Sequence, residues 1–195
     1  MKRNLRAPSL GLVPQSDPDA VADFYTDKAT TIAIGMMLSL ISVFFLAWFL
    51  AALRRHLAVA EGENGWISPL AWGGGVATLT LLAAGFALNS AGALRAGESG
   101  IAPDAAVVFY DSSLALTGLA ASVAMAVVLA ATAVITLQSH AFPRWFGWVS
   151  AALAILGIVT PVSFVLSLVF PLWVAVAAVL LLRASRAALS QTAST

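Results

Sequence analysis

The chain has 195 residues, 61% of them hydrophobic and only 10% charged, with a net charge of +1 and a mean hydropathy of +0.94. Soluble domains carry about 25% charged residues, so a water-soluble globular protein is excluded. A charge this close to neutral gives no basic stripe for nucleic acid, and with no cysteine disulfides and thiolate metal sites are excluded as well.

The first residues, 1–27, form a polar tail. It lacks the apolar core of a signal peptide after its basic start. Ser16-Asp17-Pro18-Asp19 reads as a helix start, with Asp17 as cap and Pro18 at the first helical position. Val21, Phe24 and Tyr25 then share one face, which predicts a short interfacial helix over 17–26.

Three long uncharged runs follow and predict spanning helices at about 29–53, 70–94 and 113–137. The first ends at Arg54-Arg55-His56 and the second at Arg95. Asp111 or Ser112 is placed to cap the third, and Pro103 to open a short helix before it. From Trp145 to Leu182 no side chain is charged, a run of 38 residues. As one helix it would be roughly 57 Å long, nearly twice a hydrocarbon core. Pro161 breaks it, and Ser163 can cap a new helix. The expectation is two further spans at about 142–159 and 164–182, with a polar tail at 184–195. The alternative is four spans, the last a long bent helix.

Basic residues weigh these alternatives. Let side A be the side of the N-terminal tail and side B the other. Five spans put Arg54, Arg55, Arg144, Arg183 and Arg186 on side B and only Lys28 and Arg95 on side A. Four spans give a near tie. Basic residues accumulate on the cytoplasmic side, so five spans predict the N-terminus outside and the C-terminus in the cytoplasm. Trp48, Trp66, Trp72, Trp145 and Trp148 gather near side B, with Tyr25 and Tyr110 near side A, as interfacial belts do. Trp173 falls between the belts, a strain on the five-span reading. The abundance of alanine, and eight arginines against two lysines, look like the product of a high-GC bacterial genome, and the expected location is a bacterial inner membrane.

The span interiors hold no ionisable side chain apart from Arg144, at the very start of the fourth. Such groups mark proton relays and ion paths, so a proton-coupled pump and an intramembrane protease are not expected. No catalytic or metal site is read: His56 and His140 sit at span ends with no adjacent carboxylate, and no cofactor is expected. What does recur is small residues four apart: Gly35 with Ser39, Ala83 with Ala87 and Ala91, Gly118 with Ser122. This spacing lets helices approach closely. Pro161 and Pro171 are the expected breaks, and Gly73-Gly74-Gly75 marks a close contact or a flexible end.

Two stretches carry a resemblance. They are Phe24-Tyr25 through Phe49-Leu50-Ala51-Ala52-Leu53-Arg54-Arg55, and Phe142-Pro143-Arg144-Trp145-Phe146-Gly147-Trp148. Together they resemble a group of small bacterial integral membrane proteins of unknown function, frequent in high-GC Gram-positive bacteria. The resemblance implies a polytopic helical bundle and brings no activity or site residue with it.

The expected fold is thus an all-α transmembrane bundle in contact with membrane lipids. The leading functional expectation is a non-enzymatic accessory or scaffold subunit acting through helix–helix contacts, with a membrane-protein partner or a second copy of itself. The alternative is a small permease or channel for a neutral or lipophilic solute, drawn from the neutral polar residues in the spans.

Overall fold

The computed structural model describes residues 17–63, 65–158 and 163–192. They form α1 (Pro18–Glu61), α2 (Ile67–Ser99), α3 (Pro103–Leu114), a π-helical turn (Ala115–Ala120), α4 (Ala121–Ser139), α5 (Arg144–Ile158) and α6 (Ser163–Thr192). No strand occurs among the described residues. The α3, π and α4 segments form one continuous helix, 37 residues long. Four helices are long and apolar enough to cross a membrane: α1, α2, this composite helix and α6. The fifth, α5, is apolar but has only 15 residues.

Helix ends follow local chemistry. Asp17 Oδ1 accepts from the Ala20 N–H, with Pro18 in the first turn. The expected helix over 17–26 and the first span are a single helix of 44 residues, roughly 66 Å long. Glu61, the last residue of α1, caps the next helix: its carboxylate accepts from the backbone N–H groups of Ile67 (2.6 Å) and Ser68 (2.7 Å). Desolvation pushes this carboxyl up. The backbone bonds, from Trp66 as well, outweigh it and hold the group below its usual range. Pro103 opens α3. Asp111 and Ser112, read as the cap of the third span, lie inside the composite helix, whose backbone needs no cap there. His140 closes α4 in the left-handed region, at φ 60°, its N–H bonded to the Thr136 carbonyl. The predicted break at Pro161 lies outside the described residues; helix ends at Ile158 and resumes at Ser163.

Close contacts fix the directions. Gly75 of α2 packs on Leu50 of α1, and Gly97 on Ala29, so α2 runs back along α1. Gly74 faces Val127 and Ala124, and Gly85 faces Thr117 and Ser113, so α4 runs back along α2. Gly147 packs on Leu137 and Thr136, and Gly157 on Ala126; α5 therefore descends along α4. Gly157 also meets Leu166, and Ser150 meets Trp173, so α6 returns along α5. Hence α1, α4 and α6 run from side A to side B, and α2 and α5 run back.

The central element is α4, whose buried face includes Ala121, Ser122, Ala124, Met125, Val128, Leu129, Thr132 and Thr136. In the most apolar window of the composite helix 67% of residues are buried, against 11% in α1, which identifies the hub. Small side chains bring neighbours close where lipid supplies no hydrophobic drive for helix association. The outer face of α1 is large and apolar: Ile34, Met37, Leu38, Phe44, Phe45 and Trp48 are all exposed, as a lipid-facing surface requires.

The bundle has two storeys. Toward side B, five helices share the main core. Toward side A, among the described residues, the start of α1, the end of α2 and α3 continue, around a second core of Val21, Tyr25, Ala93, Ala96 and Ala106. This projecting part carries Asp17, Asp19, Asp23, Asp27, Glu98, Asp104 and Asp111. Burial, and the neighbouring Tyr110, push the Tyr25 phenol up to about 12.

The glycines separate tight contacts from open ones. A Cβ at Gly85 would stand 2.4 Å from Thr117 Cγ2, whereas one at Gly35 meets nothing within 4 Å. Gly85→Ala should lower thermal stability in detergent by about 1–3 kcal/mol through overpacking. Gly35→Ala should leave it unchanged or raise it by up to about 1 kcal/mol through helix propensity. Melting curves of the two variants check this; a destabilised Gly35→Ala beside a neutral Gly85→Ala would contradict the packing described.

Candidate functional site

Most hydroxyl groups at membrane depth are used locally. Ser39 donates to the Gly35 carbonyl, Ser42 to Leu38, Thr78 to Gly74, Thr132 to Val128 and Ser150 to Phe146, each four residues back along its own helix. In a medium without water this is the nearest acceptor a hydroxyl can find.

The π turn concentrates such bonds. A π segment widens the helix and disturbs the regular carbonyl pairing. Thr117 donates to the Ser113 carbonyl (2.8 Å), and Ser122 to that of Gly118. Ser167 of α6 crosses to the Thr117 carbonyl (3.2 Å). Just toward side A, Asn89 Nδ2 donates to Ser113 Oγ, and the Asn89 Oδ1 is buried without a partner.

Beside this turn lies a cavity of about 660 Å³, within the range of small-molecule sites. Its walls are Ser39, Ser42, Phe45 and Phe49 of α1, Leu82 and Phe86 of α2, and Thr117 and Gly118 of the π turn. Met125 of α4 and Ser167, Phe170, Pro171, Val174 and Ala178 of α6 complete it. Among the described residues no charged side chain lines it. Ser42, Phe45 and Pro171 are exposed, so the cavity opens sideways, at the outer surface of the bundle between α1 and α6.

An aromatic column holds α6 beside it. Trp173 stacks on Phe146 of α5 and on Phe170, both with ring centroids 5.5 Å away, and Phe49 of α1 meets it edge-on. The Trp173 Nε1–H donates to Ser150 Oγ at 2.9 Å. Trp173 was expected to strain a membrane-depth position; Ser150 relieves the strain by giving the indole its acceptor. The column continues through Phe142 to His56, whose Nε2–H donates to the Ala141 carbonyl. His56 thus ties α1 to the α4–α5 connection, and His140 serves as the end of α4. Among the described residues no three His, Cys, Asp or Glu side chains come together to hold a metal.

The small-residue positions fall in different places. Ser39 and Gly118 line the cavity. Ser122 is fully buried, and its carbonyl lies against Gly157 of α5. Gly35 and Ala83 are half-buried, and Ala87 and Ala91 are exposed on α2. Pro171 lies inside α6 with its ring exposed. Of the three adjacent glycines, Gly74 packs on α4 and Gly75 on α1, while Gly73 is open. Sequence reasoning missed the Ser150–Trp173 pair and the aromatic walls. The signals were present: Phe146, Ser150, Ala154 and Gly157 share one face of α5, and Leu166, Phe170, Trp173 and Ala177 share one face of α6.

In comparisons with family models, curated proteins and solved structures, nothing matches the chain. The fold and the cavity define its class on their own: a helical membrane protein with an uncharged, laterally open cavity.

Ser150→Ala would leave the buried Trp173 N–H without an acceptor and should cost about 1–3 kcal/mol. In the Ser150→Ala background, Trp173→Phe should cost less than in the parent. A double-mutant cycle by thermal denaturation reads this coupling; strictly additive losses would show that the bond contributes nothing.

Proposed function

We propose that this protein is a non-enzymatic, multi-pass protein of a bacterial inner membrane that takes an uncharged, lipophilic molecule from the bilayer into the cavity between α1 and α6. The observation that carries the reading is the cavity: about 660 Å³, walled by Phe45, Phe49, Phe86 and Phe170, and open at the lipid-facing surface. Ser39, Ser42 and Thr117 turn their protons to carbonyls of their own helix, which favours a lipophile over a hydrated path for ions. The rival reading, an accessory subunit acting only through helix contacts, gives no account of this cavity. Val174→Trp would obstruct its apolar part. Protein purified from native membranes should carry a lipophile, found by solvent extraction and mass spectrometry, that the obstructed variant carries in smaller amount or lacks. Identical extracts from both would sink the reading.

The antiparallel packing of α5 on α6 supports five crossings, with the N-terminus outside and the C-terminus in the cytoplasm. The 15 residues of α5 rise about 22 Å, and modest bilayer thinning accommodates the shortfall. In this arrangement Arg54, Arg55, Arg144, Arg183 and Arg186 face the cytoplasm and the acidic three-helix projection faces out, in keeping with the positive-inside tendency. Single cysteines at Ser16 and Ser194, in a chain that has none of its own, test it. A membrane-impermeant thiol reagent on intact cells should label Ser16→Cys and spare Ser194→Cys until the cells are opened. Equal labelling of the two would rule out five crossings.

A further inference from the structure

The cavity is chemically graded along its length. Because α1 and α6 run in the same direction, residue number orders both walls from side A to side B. Ser39, Ser42, Thr117 and Ser167 lie toward its side A end; Phe49, Val174 and Ala178 lie toward its side B end. From Ser39 to Phe49 is about 15 Å of helix. Thus one end carries four hydroxyl oxygens, and the rest is apolar.

Those oxygens have one capacity left. The protons of Ser39, Ser42, Thr117 and Ser167 go to the carbonyls of Gly35, Leu38, Ser113 and Thr117. A hydroxyl has one donor and two acceptor lone pairs, so this end offers acceptors. A ligand that donates a hydrogen bond is rewarded here, at a depth where water cannot replace the protein. A charged head is not, since among the described residues no cationic or anionic side chain lines the wall and an unpaired charge is costly to bury.

Resting on the lipophile-binding reading, we propose that the ligand is a neutral lipid alcohol, its hydroxyl donating to the Ser39/Ser42 end and its apolar body, about 15 Å long, lying toward Phe49 and Ala178. The chemistry excludes phospholipids and free carboxylates as occupants of the hydroxyl end. It also sets the ligand's direction, hydroxyl toward side A.

The test uses the full chain in nanodiscs with tritiated tetradecanol as probe. Unlabelled tetradecanol, its methyl ether, tetradecane and tetradecanoate compete. The ether keeps the oxygen and the chain but loses the donor. Tetradecanol should compete about tenfold better than the ether or the alkane, the size of one membrane-buried hydrogen bond, and tetradecanoate should be the weakest. The double variant Ser39→Ala, Ser42→Ala should bind alcohol and ether alike while keeping the affinity for the alkane. Equal competition by alcohol and ether in the parent chain would overturn the alcohol assignment, and a preference that survives in the double variant would overturn the placement of the ligand hydroxyl on Ser39 and Ser42; either result leaves lipophile binding standing. No displaceable binding of any probe, together with identical extracts from the parent and Val174→Trp proteins, would overturn both.

Discussion

The structure depends on how closely neighbouring helices can approach α4. Between helices in a bilayer there is no hydrophobic drive, because lipid tails are as apolar as leucine; association rests on van der Waals contact and a few hydrogen bonds. Alanines at 121, 124, 126, 131 and 133 lower the surface of α4, and Gly74, Gly147 and Gly157 on α2 and α5 meet it, while Gly85 of α2 meets the π turn and α3 just before it. Each contact is glycine against a side chain or a backbone carbonyl, so none can take a larger residue without movement. The reversals of direction from α2 to α5 follow from these contacts.

The helix α6 is held differently. It reaches the bundle through one stripe, Leu166, Phe170, Trp173 and Ala177, and through the Trp173–Ser150 and Ser167–Thr117 bonds. Large aromatic rings fix it at a distance where alanine and glycine would have let it close on α1. The space left between α1 and α6 is the cavity. The same choice of residues that secures the hairpin of α5 and α6 therefore keeps a site open beside it.

Polar groups obey the same scarcity of water. Hydroxyls in the apolar zone donate to their own helices, and the carbonyls disturbed by the π turn receive Thr117, Ser122 and Ser167. Charges are confined to the ends: Glu61 at the start of α2, Arg54 over the Trp72 ring, and the acids on the three-helix projection. Among the described residues three buried polar atoms are exceptions without a partner: the Tyr25 hydroxyl in that projection, the Asn89 Oδ1 and the Thr136 hydroxyl.

The sequence by itself determined the class and the rough course of the chain. Long uncharged runs have no other stable use, and Asp17-Pro18, Pro103 and Ser163 stand where helices begin. Of the aromatic residues expected in interfacial belts, Trp48, Trp66, Trp145 and Trp148 are exposed, whereas Trp72 is half-buried and Tyr25 fully buried. Three things were decided only by tertiary structure. The merging of the helix over 17–26 with the first span depended on the second core around Tyr25 and Ala93, which brings together residues some seventy positions apart. The π turn has no local breaker; it matches the tight approach of Gly85 and the bond from Ser167. The cavity lies between residues of α1 and α6 more than a hundred positions apart, and periodicity along one helix carries no information about the gap between two.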